Sequence, residues 1–165
     1  TCLFSITDKI ELLGAASEGY NLYVYPDGGA EQDPDEWWEA MRTSTHTVMK
    51  KAKIKKSDIS GISFCSQMQA LVLVDKEGNA VRRAMSYMDQ RAREELKKGI
   101  AYGPQIAGAN IPKLLKALKI TGAVAASVKD PVWKYKWVEA HEPDAFNRAY
   151  KWLDVKEYQI GRAHV

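Results

Sequence analysis

The sequence predicts an α/β domain, and three observations predict it. Apolar, β-branched runs fill the first 25 residues and recur between residues 59 and 86. Capped, amphipathic segments fill residues 33–53 and most of the chain after residue 110. The 165 residues are 45% hydrophobic and 27% charged, with no internal repeat or low-complexity tract, which suits one domain large enough to bury a core. Strands in front and helices behind argue helices packed on β pairs.

The elements follow in order. Thr1 to Thr7 reads as a strand, Asp8-Lys9 as a turn, Ile10 to Ala16 as the returning strand and Tyr20 to Tyr25 as a third, ended by Pro26-Asp27-Gly28-Gly29. Asp33-Pro34-Asp35-Glu36 supplies an N-cap, a proline at the first helical position and two first-turn acids, so a helix is expected through about Lys53. Trp37, Trp38, Met41, Val48 and Ala52 form its apolar stripe. Ile59 to Cys65, Leu71 to Asp75 and Val81 to Ser86 read as strands, the latter two a hairpin turned at Lys76-Glu77-Gly78-Asn79. A helix is expected from Gln90 to Lys98, with Arg91, Arg93, Glu94, Glu95 and Lys97 on its wet side, then a Gly-rich loop over Gly99 to Asn110. Asn110-Ile111-Pro112 starts a short helix to Leu118, and Gly122 to Val128 is a small, flexible stretch. Asp130-Pro131 caps a helix through His141 with Trp133, Trp137 and Val138 inward. Glu142-Pro143-Asp144 caps another that carries Phe146, Tyr150, Trp152 and Leu153.

Composition excludes several classes. Twenty-four Lys and Arg against 21 Asp and Glu leave a net charge of +3, too little for a phosphate-backbone binder, so nucleic acid is not the expected partner. The lysines at 50, 51, 53, 55 and 56 gather where a helix ends, which fits the macrodipole better than an anion patch. No apolar run is long enough to span a bilayer, and no membrane partner is expected. Cys2 and Cys65 suit neither a disulfide framework nor a zinc site, and a cytoplasmic setting is expected. His46, His141 and His164 lack ligand spacing, so no metal is assigned; no G-x-x-x-x-G-K-[ST] or G-x-G-x-x-G run offers a nucleotide fingerprint. The five tryptophans all fall on expected helices and read as anchors rather than base-stacking platforms.

Ser66-Gln67-Met68-Gln69 is the most informative stretch, because it breaks two hydrophobic strands with amides near the core. Its plain alternative is a polar turn. A hairpin turning at Glu77-Gly78 pairs residues whose numbers sum to about 155, which sets Gln69 opposite Ser86 and Gln67 near Met88 and Asp89. Tyr87-Met88-Asp89-Gln90-Arg91 therefore returns to the first cluster at one end of a sheet, the usual place for a ligand. Carboxylate and amide groups clamp vicinal hydroxyls, while Met and aromatic faces cover C–H surfaces, so the pattern suits a polyol. Asp89 to Arg91 also fits the capped start of the next helix. Asp89→Ala is expected to impair turnover without unfolding the protein.

Ala30-Glu31-Gln32-Asp33-Pro34-Asp35-Glu36-Trp37-Trp38, Ile62 through Asp75, Ser86 through Ala92, and Lys129-Asp130-Pro131 with Trp137 through Pro143 together resemble the N-terminal domain of FGGY-family carbohydrate kinases, the xylulokinase-like branch most closely. The resemblance implies an actin-like, ribonuclease-H-like α/β domain, a mixed sheet with flanking helices, that binds a sugar beside a second domain holding ATP and Mg2+. It implies that Gln67, Met68, Gln69, Tyr87, Asp89 and Arg91 bind substrate, with Gln69 where the family commonly has His and Tyr87 where it commonly has Trp. The activity implied is ATP-dependent phosphorylation of a sugar or polyol hydroxyl, this chain being the substrate-binding half. A non-catalytic carbohydrate-binding or sensing protein of the same fold is the alternative.

The resemblance further implies truncation at both ends. The family's phosphate-cradling D-x-G-T turn would precede Thr1, its catalytic Asp would follow Val165, and no catalytic residue is assigned within the chain. ATP and Mg2+ would be held mainly by parts outside it, the C-terminal nucleotide domain among them, and a homodimer stays open. Residues 1–159 are read as a partial sugar-binding domain. Residues 160–165, Ile160-Gly161-Arg162-Ala163-His164-Val165, match one reading frame of a common sequencing adapter and are expected to be a non-native tail.

Overall fold

The structure, a computed structural model, describes residues 1–101, 105–106, 109–122 and 125–163. In chain order the strands are β1 (Cys2–Ile6), β2 (Ile10–Ala15), β3 (Tyr23–Val24) and β4 (Ala30–Gln32), followed by the helix α1 (Pro34–Ala52) and a 3-10 turn at Lys56–Asp58. Then come β5 (Val72–Val74), β6 (Ala84–Met85), α2 (Arg93–Ala101), β7 (Gln105–Ile106), β8 (Ala109–Asn110) and α3 (Ile111–Thr121). The helices α4 (Pro131–His141) and α5 (Pro143–Arg148), strand β9 (Lys151–Leu153) and helix α6 (Val155–Ala163) complete the series.

The expected mixed sheet is represented among the described residues by antiparallel ladders alone. β1 pairs with β2, β3-β4-β6 form a three-stranded sheet, β5 pairs with β9, and β7 pairs with β8. Bridges Leu71–Met85 and Val74–Ala80 link β5 to the strand that follows it, with register sums of 156 and 154. The hairpin inferred from the turn at Gly78 is therefore present in the expected register, and Gly78 takes a left-handed φ of 85°.

β5 is buried on both faces, and its alternation divides the core in two. Ala70, Val72 and Val74 point toward Trp37 of α1 and Val155 and Tyr158 of α6. Leu71 and Leu73 point the other way, with Met85, against Val138 of α4 and the partly buried Tyr135, Trp137 and Phe146. A sheet with helices on either face is the architecture the sequence predicts.

α1 follows its signals closely. Asp33 caps it by accepting from the Asp35 N–H at 2.9 Å, and Lys53 ends it at φ 54°, donating its N–H toward Lys50 and Met49 carbonyls. A left-handed lysine costs about 1 kcal/mol relative to glycine. Lys53→Gly should therefore raise stability by about 0.5–1 kcal/mol, read as a later urea midpoint in tryptophan fluorescence. The buried positions are Pro34, Trp37, Ala40, Ser44 and Val48; Trp38, Met41 and Ala52 are only partly buried.

Several expectations are corrected. Ile59 to Cys65 forms no strand and pairs with none among the described residues, and Ile62 is 74% exposed; strand propensity alone supplies no partner for the ladder. The second helix begins at Arg93 rather than Gln90, because Asp89 to Ala92 are held in a turn by Asp89 itself. It also continues through Gly99, where the Trp133 ring lies so close that an added Cβ would come within 2.1 Å of it. The expected loop of Gly99 to Asn110 accordingly contains the end of α2 and the β7–β8 pair, and its residues 102–104 and 107–108 lie outside the described residues. Residues 123–124 of the Gly122 to Val128 stretch and 164–165 of the terminal six also lie outside them. Residues 151–153 form strand β9 instead of a helix, since pairing with β5 outweighs the helical spacing of an isolated segment; Trp152 is thus a strand residue, 48% exposed.

Candidate functional site

The two polar clusters meet beside the end of the β5 hairpin, joined by a residue of α4. Lys134 is wholly buried, and its Nζ donates to the carbonyl oxygens of Gln69 at 2.6 Å and Ser86 at 2.7 Å. This places Gln69 and Ser86 opposite one another as the register requires. Burial pushes the Lys134 pKa down to about 8, against the attraction of Asp89, Asp154 and Asp130.

Gln69 is held at three points. Its N–H donates to Asp154 Oδ2 at 3.0 Å, its side-chain amide donates to Asp130 Oδ1 at 3.0 Å, and its carbonyl receives Lys134. Its backbone lies at φ 62°, a left-handed conformation that side chains other than glycine rarely adopt. Asp130 therefore does not cap α4 with its side chain, as the sequence suggested; its carboxylate also accepts from the Ser127 N–H at 2.8 Å. Asp154 further receives the Ala70 N–H at 3.2 Å, so the turn between Met68 and β5 is fastened to the start of α6.

The other expected site residues divide into two layers. Met68 is 77% exposed and Tyr87 45% exposed, so both present side chains to solvent. Gln67 is partly buried and donates its amide to Gln32 Oε1 at the end of β4. Lys129 Nζ lies 5.9 Å from the centre of the Tyr87 ring. Asp89 and Arg91, in contrast, lie beneath this face. Asp89 is completely buried and accepts from the Ala30 N–H at 2.9 Å, the Arg91 N–H at 3.1 Å and the Arg91 guanidinium at 2.7 Å.

Arg91 continues the network to Glu31 at 2.6 Å, and Arg82 joins Glu31 to Glu142. The Arg91 guanidinium also lies 4.3 Å from the Trp137 ring centre. Burial opposes its charge, but the hydrogen bonds it donates to Asp89 and Glu31 outweigh burial and hold its pKa above the ordinary value. Arg91 and Glu95, read as solvent-facing in the sequence, are thus both buried side chains at 8% exposure. Enclosed carboxylates and guanidinium groups, paired with one another except that Arg82 Nη1 is buried without a partner, tie β4, β6, α4 and α5 together below the polar face.

Gly29 makes room for this network. A Cβ there would sit 2.9 Å from Arg91 Nε and 3.0 Å from both Asp27 and Tyr25 side chains. Gly29→Ala should cost about 1–3 kcal/mol, measured as a lower urea midpoint.

Lys134, Asp154, Gln32 and Glu31 went unmarked as site residues in the sequence. Lys134 had a signal: it stands three and four residues before the inward Trp137 and Val138, a charged group on the buried stripe of a helix. Asp154 had none beyond its place between Leu153 and Val155. Two clefts, of about 580 Å³ beside Tyr20 and Glu36 and about 600 Å³ beside Phe64 and Ile160, lie apart from these residues. Among the described residues no group of three or more His, Cys, Asp and Glu is arranged to hold a metal ion. No helix among them is long and apolar enough to cross a membrane.

Residues 2–162 match the FGGY family of carbohydrate kinases, N-terminal domain. A xylulose kinase of Staphylococcus xylosus is 30% identical over 153 residues, which cover 91% of this chain and 29% of that protein. A gluconokinase of Bacillus licheniformis is 28% identical over 156 residues, covering 94% of the chain and 28% of its own length. The chain therefore spans less than a third of these relatives. Among solved structures, a xyloylose kinase from Brucella ovis superposes with a TM-score of 0.76 at 27% identity, covering 90% of this chain and 29% of that one. Gluconate kinase from Lactobacillus acidophilus shares the fold with a TM-score of 0.74 at 24% identity over 92% of this chain and 28% of its own. The fold is of the actin-like, ribonuclease-H-like class. With its residues 2–162 matched from strand β1 into helix α6, the chain belongs to the FGGY family of carbohydrate kinases as an N-terminal domain.

Proposed function

We propose that this chain is the sugar-binding half of an ATP-dependent carbohydrate kinase that phosphorylates a hydroxyl of a small sugar or polyol. The observation that carries the reading is the meeting of Gln67–Gln69 with Ser86–Arg91 through Lys134, in a chain of this family. The xylulose kinase and gluconokinase relatives support a polyhydroxylated substrate.

In this reading Gln67 and Gln69 supply amides that donate to and accept from hydroxyls, while Met68 and Tyr87 cover the C–H faces. Asp89 and Arg91 act from below, setting the floor on which Tyr87 and Met88 stand. The chain's contribution to phosphoryl transfer is to bind and orient the acceptor hydroxyl, and positioning is a large part of that reaction's catalysis. ATP supplies the phosphoryl group and Mg2+ neutralises its charge when bound. In this reading both are held mainly by parts of the parent protein outside this chain. A cytoplasmic setting accords with Cys2 and Cys65, which are free and exposed.

The test is sugar-dependent ADP release by the complete protein over a panel of pentoses, ketoses, polyols and sugar acids. Turnover with at least one member is expected. Binding of a sugar with no ADP release would favour the non-catalytic binding protein instead, and neither binding nor release would reject the reading.

A further inference from the structure

A buried lysine needs a reason, and the family's reaction supplies none for Lys134 on the face of it. The side chain has no exposure, so it does not reach a ligand on the surface. It sends two short hydrogen bonds to two backbone carbonyls, one from each polar segment. A lysine suits that task because the ammonium has only donors, and a methionine of similar length would take the donor from the Gln69 carbonyl and leave the Ser86 carbonyl with the Asp89 N–H alone. Gln69, one of the two recipients, holds a left-handed φ of 62° that its own side chain disfavours, and Asp154 and Asp130 grip its N–H and its amide. Such a conformation persists only where the surroundings over-determine it.

We propose that Lys134 is a positioning residue for substrate: with Asp154 and Asp130 it cages Gln69, and through Ser86 it fixes the spacing between the Gln67–Gln69 and Tyr87–Asp89 segments, so that their side chains present one sugar-binding surface. This rests on the reading of that surface as the sugar site. Lys134 acts only through the two backbones it joins.

The charged groups that surround the ammonium are Asp89 after β6, Asp130 before α4 and Asp154 after β9, with Lys129 opposing. As pH rises through about 8 the ammonium becomes a neutral amine, and its bonds to Gln69 and Ser86 lose their charge assistance. The sign for folding is the reverse. The folded pKa lies below the unfolded value of 10.5, so between about 8 and 10.5 the unfolded chain holds a proton that the folded one has released, and stability through this group rises with pH. A purely structural lysine gives only that gain; a positioning lysine also gives weaker sugar binding over the same range.

The experiment is steady-state kinetics of the complete enzyme with its best sugar, for wild type, Lys134→Met and Lys134→Arg, each checked for folding by circular dichroism. Lys134→Met should raise the sugar KM about tenfold or more with the ATP KM within about twofold, and Lys134→Arg should recover part of the loss. In the wild type the sugar KM should rise above about pH 8 while the ATP KM stays level; a folded Lys134→Met should lack that rise. An unchanged sugar KM in folded Lys134→Met, or equal rises in both KM values, would overturn the proposal. Should Lys134→Met fail to fold, a sugar KM in the wild type that is flat from pH 7 to about 9.5 overturns it alone. Wild-type turnover with an unaffected Lys134→Met rejects only the positioning role, whereas no sugar turnover by wild type rejects the sugar site and this role together.

Discussion

Asp89→Ala is expected to lower the unfolding free energy by about 3–5 kcal/mol, because it removes one member of a buried ion network and leaves the others charged. The carboxylate has no exposure, and its oxygens hold the Ala30 N–H, the Arg91 N–H and the Arg91 guanidinium. Without it Arg91 keeps Glu31 as its only carboxylate among the described residues, and Glu31 is already shared with Arg82. This revises the expectation from sequence that the same substitution spares the fold. Urea unfolding followed by tryptophan fluorescence measures it; a loss below about 1 kcal/mol would return Asp89 to a surface role. Asp89→Asn should fall between, since it keeps the shape and one acceptor while losing the charge.

Asp154→Ala comes next, with an expected loss of about 2–4 kcal/mol. Its carboxylate takes the N–H groups of Gln69 and Ala70 at 3.0 and 3.2 Å, as well as that of Val155 at 2.8 Å. Three backbone donors lose their partner in a region that is only part-buried, so water recovers some of the energy and the estimate stays below that for Asp89. Gln69 also loses one of three restraints on its left-handed backbone. Asp154→Ala should thus both unfold earlier and raise the sugar KM of the complete enzyme, whereas Asp89→Ala should act mainly on stability. Amide exchange at Gln69 and Ala70 distinguishes the two: Asp154→Ala should raise it sharply, Asp89→Ala much less.

The hairpin shows how far the sequence reached. Gly78 fixes the turn, two-residue alternation fixes the faces, and from these the opposition of Gln69 and Ser86 follows by counting. The residue that joins them comes from α4, 48 positions further along, and no local pattern declares where a helix docks. Lys134 bore a trace, a charge on the inward stripe of Trp137 and Val138. The sequence singles out Asp89 and Arg91 as polar residues at the site, and the structure buries both beneath the face that carries Met68 and Tyr87. Their depth depends on Glu31, Arg82 and Glu142 arriving from other elements, and only tertiary packing reveals that these charges pair with one another. Ile59 to Cys65 and Trp152 fail for the same reason in opposite directions. Strand propensity found no ladder in the first case, while a ladder with β5 overrode helical spacing in the second.

The central claim is that the face formed by Gln67, Met68, Gln69 and Tyr87 holds the sugar. Calorimetric titration of the complete protein with its best sugar, without nucleotide, tests it most directly when run on wild type, Gln67→Ala and Tyr87→Ala beside a titration with ADP. Loss of sugar affinity by about tenfold in each variant, with ADP binding unchanged, is the predicted result. Equal sugar affinity in all three proteins would place the sugar elsewhere and contradict the account.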